Sequence, residues 1–115
     1  LGIAQLKKIH KYLKLKKKLH LFYKNLFDNS DFKLLKPIKE CKSNYWLNTI
    51  VINNNIKIKD NLIKFSLKNK FYVRPLWKPI NELEPFKKFP KMNLDNTIDA
   101  YNRIISLPSS VFLMK

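Results

Sequence analysis

The stretch Asn44-Tyr45-Trp46-Leu47-Asn48-Thr49-Ile50-Val51-Ile52 decides how this chain folds, because its density of β-branched and aromatic residues marks an interior strand. It is expected to be the central strand of a small sheet. Asn53-Asn54-Asn55 ends it, and Asp60 is placed to cap a helix carrying Leu62, Ile63, Phe65 and Leu67. Phe71 to Arg74 then reads as a second strand, terminated by Pro75, which has no backbone donor to offer a ladder. The three pieces form a strand, helix, strand unit.

Upstream, from Leu1 to about Phe27, the apolar residues Leu1, Ile3, Leu6, Ile9, Leu13, Leu19, Phe22 and Leu26 recur mostly three or four apart with lysines between them. That periodicity predicts one long amphipathic helix, with Lys14, Lys16, Lys17 and Lys18 mostly on its wet side. Asp28-Asn29-Ser30-Asp31 supplies turn chemistry, a short extended piece follows at Phe32 to Leu35, and Pro37 breaks the chain again. Downstream, Pro79, Pro85 and Pro90 forbid a long helix between Leu76 and Pro90. Asp95 is expected to cap a last helix through Arg103, and Ile104 to Leu107 is a final short strand before Pro108-Ser109-Ser110. One long N-terminal helix and a short sheet covered by helices make an α/β or α+β sandwich.

At 115 residues the chain suffices for one domain and a single core, burying roughly two thirds of its unfolded surface. An apolar fraction of 45% and an aromatic fraction of 13% set it apart from disordered chains. It opens on Leu1 rather than Met and is in a helical pattern by Ile3, so residues 1–115 are expected to be a fragment that starts inside an element. No run approaches the roughly 20 apolar residues that cross a bilayer, so no membrane partner is expected.

Twenty-four basic against 8 acidic residues give a formal charge of +16, which makes nucleic acid or another anionic surface a partner to weigh. Only Arg74 and Arg103 are arginines, and lysine is accompanied by Ile and Asn, as in Asn53-Asn54-Asn55-Ile56-Lys57-Ile58-Lys59. All three residue types have A/T-rich codons, so genome composition competes with binding as the origin of the charge. A dedicated nucleic-acid binder also uses arginine, whose planar fork grips phosphate and guanine in two places.

Most catalytic chemistry lacks its groups. The single glycine, Gly2, rules out a Gly-rich phosphate loop. His10 and His20 lie about 15 Å apart along one helix and cannot share a metal. Cys41 is the only cysteine, so no internal disulfide and no cysteine-built zinc site can form; it lies beside Lys39 and Lys42 but has no histidine nearby in sequence and reads as a spectator. Glu40, Glu82 and Glu84 offer no carboxylate pair. What remains is Arg74-Pro75-Leu76-Trp77-Lys78-Pro79, an arginine at a strand end beside a tryptophan held between prolines. Such strand ends commonly carry ligand-contacting groups, and arginine suits phosphate or carboxylate. The competing reading is a salt-bridged arginine beside a core tryptophan.

Four short segments, in order, resemble the C-terminal region of the DegT/DnrJ family of sugar aminotransferases, and within it the LegC-like clade that works on nucleotide-linked amino sugars. Leu1-Gly2-Ile3-Ala4-Gln5-Leu6 is similar to the helix after the family's active-site segment, and Ser43-Asn44-Tyr45-Trp46-Leu47-Asn48 to its central strand. Arg74-Pro75-Leu76-Trp77 resembles the clade's strand end, and Leu107-Pro108-Ser109-Ser110 its closing turn.

The resemblance implies the small C-terminal domain of a cytoplasmic, homodimeric fold-type I enzyme whose large domain, absent from residues 1–115, binds pyridoxal phosphate. It implies transamination from glutamate to a nucleotide-linked keto sugar, in cell-surface glycan or sugar-acid biosynthesis, through a lysine that forms a Schiff base and an aspartate on the pyridinium nitrogen. In family members those residues lie upstream of the position matching Leu1, so no catalytic or cofactor-binding residue is assigned and this fragment alone is expected to be inactive. Carried over residue by residue, Arg74 and Trp77 are expected near the mouth of the substrate pocket, with Lys78 and Asn81 on the loop that follows, placed to contact the sugar or diphosphate of the substrate. Family members often have histidine where Asn81 stands. Two other readings compete: a small basic RNA-associated protein, and a stand-alone interaction domain descended from the enzyme.

Overall fold

The computed structural model describes residues 2–53 and 56–114. Four strands, β1 (Phe32–Leu34), β2 (Asn48–Ile52), β3 (Arg74–Pro75) and β4 (Ile104–Leu107), form one sheet in the order β1-β2-β4-β3 with every neighbouring pair antiparallel. Around it lie the helices α1 (Gly2–Leu6), α2 (Ile9–Phe27), α3 (Ile56–Lys68) and α4 (Asp95–Arg103). The strand, helix, strand unit is present but split: β2 and β3 run the same way, and β4 fills the gap between them in the opposite direction. The fold is therefore a mixed helical layer and small antiparallel sheet, the α+β form of the expected class.

Strand β2 is an interior strand, as its composition predicts, although it starts only at Asn48. The residues before it form tight turns: Ser43 Oγ accepts from the Tyr45 N–H at 3.0 Å and Asn44 Oδ1 from the Trp46 N–H at 3.0 Å. Tyr45 takes φ 52°, which no strand residue can hold. Cross-strand pairing puts Asn48 opposite Leu107 and Ile50 opposite Ile105, so one face of the sheet carries Asn48, Ile50, Ile52, Ile105 and Leu107. All five are buried, and with Leu19, Tyr23 and Val73 the apolar ones form the core.

The expected long helix is interrupted. Lys8 sits at φ −104°, ψ 0°, and its N–H reaches back only to the Gln5 carbonyl, three residues away, before α2 begins. Ile3 is 74% and Leu6 66% exposed, so the first turns gain no burial that would hold them in phase with α2. Within α2 the buried stripe keeps only Leu19 of the expected residues. Leu19, His20 and Tyr23 are buried and Phe27 packs beside them, whereas Phe22 and Leu26 remain exposed. The apolar count pointed to the wrong neighbouring stripe because His20 and Tyr23 can go inside with their polar atoms satisfied.

Three further boundaries moved. Helix α3 already starts at Ile56, so Asp60 is inside it rather than at its cap; of the expected strand stop, Asn54 and Asn55 lie outside the described residues, as does Leu1. Phe71 to Val73 is not strand, because the Phe71 N–H is engaged by the Ser66 carbonyl closing α3; pairing begins at Arg74 and includes Pro75. Pro75 is tolerated because β3 is an edge strand, where a missing donor leaves no partner unsatisfied. Helix α4 and strand β4 have their expected limits, except that Asp95 is the first helical residue and Asn93 precedes it as the side chain accepting its N–H, at 2.9 Å. The proline-rich stretch holds only two 3-10 turns, Ile80–Glu82 and Glu84–Phe86, and a third closes the chain at Val111–Met114.

Candidate functional site

Arg74 pairs with Ser106 across the sheet edge, and Ser106 pairs in turn with Thr49, so these three share the face opposite Asn48 and Leu107. The Arg74 side chain is exposed and makes no hydrogen bond or ion pair among the described residues. Trp77 is 78% exposed, so it is not a core tryptophan. The bland alternative for this segment, a salt-bridged arginine beside a buried indole, is thus overturned on both counts. The chain is stiffened by Pro75 between them and by Pro79, itself buried, two residues after Trp77.

Lys78 is exposed and follows directly, and Asn81 is half-buried in the first 3-10 turn. Asn81 lines a hollow of about 400 Å³ walled by Phe86, Phe89, Met92 and Thr97, which Arg74, Trp77 and Lys78 do not line. The four expected residues therefore lie on one continuous segment, with Asn81 turned to a separate depression. Glu84 forms a surface ion pair with Lys87.

A second polar cluster went unread in the sequence. His20 Nδ1–H donates to Asn48 Oδ1 at 2.9 Å, the Asn48 backbone N–H donates to Ser109 Oγ at 2.9 Å, and the Ser109 hydroxyl donates to the Leu107 carbonyl at 3.0 Å. Lys16 Nζ donates to the Trp46 and Ser109 carbonyls at 3.0 and 2.7 Å, and the Tyr23 hydroxyl to the Pro108 carbonyl at 2.8 Å. Burial lowers the Lys16 pKa from its ordinary value and raises that of Tyr23. The signal was present: Lys16, His20 and Tyr23 are spaced four and three apart, the same face of one helix. The cluster ties α2 to the Pro108-Ser109 turn, which is a structural task. His10 is exposed and stands apart from it, and Cys41 is exposed and free.

No group of three or more His, Cys, Asp or Glu that could hold a metal occurs among the described residues, and no helix there is long and apolar enough to cross a membrane. Lys59, buried at 6% exposure, donates to the Tyr101 carbonyl and lies 4.6 Å from that ring's centroid. Two hollows are each lined by three lysines, one by Lys14, Lys17 and Lys42 and one by Lys24, Lys33 and Lys36, and only the second also carries a carboxylate, Asp28.

Comparison with known proteins gives these features a context. The sequence model of the DegT/DnrJ/EryC1/StrS aminotransferase family matches residues 1–115. A GDP-perosamine synthase of Vibrio cholerae is 24% identical over 111 residues, covering 95% of this chain and 30% of that protein. The structure of Helicobacter pylori PseC, an aminotransferase involved in the biosynthesis of pseudoaminic acid, superposes with a TM-score of 0.85 at 26% identity over 96% of this chain and 30% of PseC. DesI, solved in the presence of its TDP-sugar product, matches at a TM-score of 0.83 and 19% identity over 94% of this chain and 29% of its own, a likeness of fold. The chain belongs to the DegT/DnrJ/EryC1/StrS aminotransferase family, whose C-terminal region it matches. It spans about 30% of the length of these relatives.

Proposed function

We propose that this chain is the C-terminal domain of a pyridoxal-phosphate-dependent nucleotide-sugar aminotransferase of the LegC-like clade, in which Arg74, Trp77, Lys78 and Asn81 bind the substrate, Arg74 and Trp77 at the mouth of its pocket and Lys78 and Asn81 on the loop that follows. The amino group would come from glutamate and pass to a keto sugar, in cell-surface glycan or sugar-acid biosynthesis. Pyridoxal phosphate would be held by the part of the relatives' length that this chain does not span, within a cytoplasmic homodimer. Residues 1–115 alone would then be inactive. Family membership supports the reaction class. The observation that carries the local assignment is an exposed, unpaired Arg74 guanidinium three residues from a 78% exposed indole, on a segment stiffened by prolines.

An unpaired arginine is suited to grip a diphosphate in two places, and an exposed indole offers a flat face to a sugar or base. The test joins the chain to the coding sequence that precedes it in frame and measures transamination of nucleotide-linked keto sugars. Arg74→Ala is expected to raise KM roughly 10- to 100-fold, the loss of a charge-assisted contact, with kcat and melting temperature little changed. Arg74→Lys should recover only part of that loss. An unchanged KM in Arg74→Ala would remove this segment from the pocket, whereas a joined protein with no transaminase activity would remove the aminotransferase reading itself.

A further inference from the structure

The groove between α2 and the Cys41–Tyr45 segment lies apart from the residues assigned above. It encloses about 440 Å³, within the usual range for small-molecule pockets. Lys14 and Lys17 line it from successive turns of α2, Lys42 closes it from the opposite wall, and no carboxylate lines it. Leu13 and the ring of Tyr45 give it an apolar side. That ring packs against the buried His20, whose centroid lies 4.7 Å away and which is itself hydrogen-bonded to Asn48. The Tyr45 backbone is held at φ 52° between the Ser43 and Asn44 side-chain contacts.

Three lysines around an apolar wall and an aromatic ring define the chemistry of what fits. Phosphate alone would use the lysines and leave the ring idle; an uncharged aromatic would do the reverse. We propose that this groove binds a nucleoside phosphate, the phosphates held by Lys14, Lys17 and Lys42 and the base lying against Tyr45. The groove belongs to the α2 side of the sheet, whereas Arg74 stands on the opposite face, so this site does not depend on the aminotransferase assignment.

The full chain is titrated with ADP, adenosine and inorganic phosphate at constant ionic strength, following backbone amide NMR shifts. ADP should bind at least about tenfold more tightly than either component, with the largest shifts at Lys14, Lys17 and Lys42 to Tyr45, since a base stacked on an aromatic ring contributes a factor of that order. Lys14→Gln/Lys17→Gln should weaken ADP roughly tenfold or more, while Lys64→Gln/Lys68→Gln on the exposed side of α3, the same loss of charge, should change it less than about twofold. Tyr45→Leu should weaken ADP but not phosphate; the lysine pairs carry the test should that variant unfold. ADP bound no better than phosphate, or weakened equally by both lysine pairs, would overturn the site and leave diffuse attraction of anions. Binding of a short oligoribonucleotide that is likewise indifferent to which lysine pair is lost would overturn it in favour of a polymer spread over the basic surface.

Discussion

Asn48 stands where α2, β2 and the turn after β4 meet, and each of its polar groups has a task. Its side-chain oxygen takes the His20 N–H, its amide nitrogen reaches Ser109 Oγ at 3.3 Å, and its backbone N–H holds the same hydroxyl. Replacement by alanine leaves a buried imidazole without its acceptor, so Asn48→Ala is expected to lower the unfolding free energy by about 1–3 kcal/mol, read from urea denaturation. Lys59 gives a residue-scale signature in pH. Burial lowers its pKa below 10.5, with the Asp60 carboxylate pulling it up. Below the lowered value both folded and unfolded chains carry the charge and the burial penalty is present in full. As pH rises toward 10.5 the folded chain releases the proton first, so its stability increases relative to the unfolded chain. Lys59→Met should flatten that rise in a series of denaturation curves at increasing pH.

At the scale of an element, α3 ends in an unusual way. The Phe71 N–H bonds the Ser66 carbonyl at 2.8 Å and the Lys70 N–H the Leu67 carbonyl at 3.1 Å, the paired pattern that normally places glycine at the left-handed position. Here that position is Lys70, at φ 57°. Lys70→Gly should therefore raise stability by roughly 1 kcal/mol, visible as a higher melting temperature with no change in the far-UV spectrum. The same cap shows what sequence reading can and cannot reach. With no glycine after Lys68 the sequence holds no residue-level stop signal, and its β-formers place Phe71 in a strand although its N–H belongs to the helix end. Elements bounded by strong local chemistry, such as α4 behind Asn93 and Asp95 or β4 before Pro108, were legible almost to the residue. Those whose limits depend on distant partners were not. The phase of α2 is set by where His20 and Tyr23 find acceptors some 28 and 85 residues away. At the candidate site the segment Arg74 to Asn81 was legible because arginine, tryptophan and proline are conspicuous together. The groove beside Tyr45 was not, since it exists only once α2 lies against the turn before β2.

For the whole molecule, the charge of +16 is poorly compensated: among the described residues there are two ion pairs, Lys87 with Glu84 and Arg103 with Asp99. Neither joins elements distant in sequence, so the lysine-rich surface repels itself across the whole domain. Raising salt shortens the range of that repulsion, to about 10 Å at 0.1 M. The melting temperature is accordingly expected to rise with sodium chloride from low to moderate concentration; a fall would mean that local ion pairs outweigh the general repulsion.

The placement of β4 between β2 and β3 also bears on the order of events when the chain first folds. It is the last strand in sequence, yet the two strands it separates touch each other nowhere in the ladder. Until Ile104 to Leu107 arrive, β3 has no partner at all and β2 has only β1. The domain must therefore wait with an open sheet and without Ile105 and Leu107 in its core, and can commit to its native form only once residues 104–107 have emerged from the ribosome.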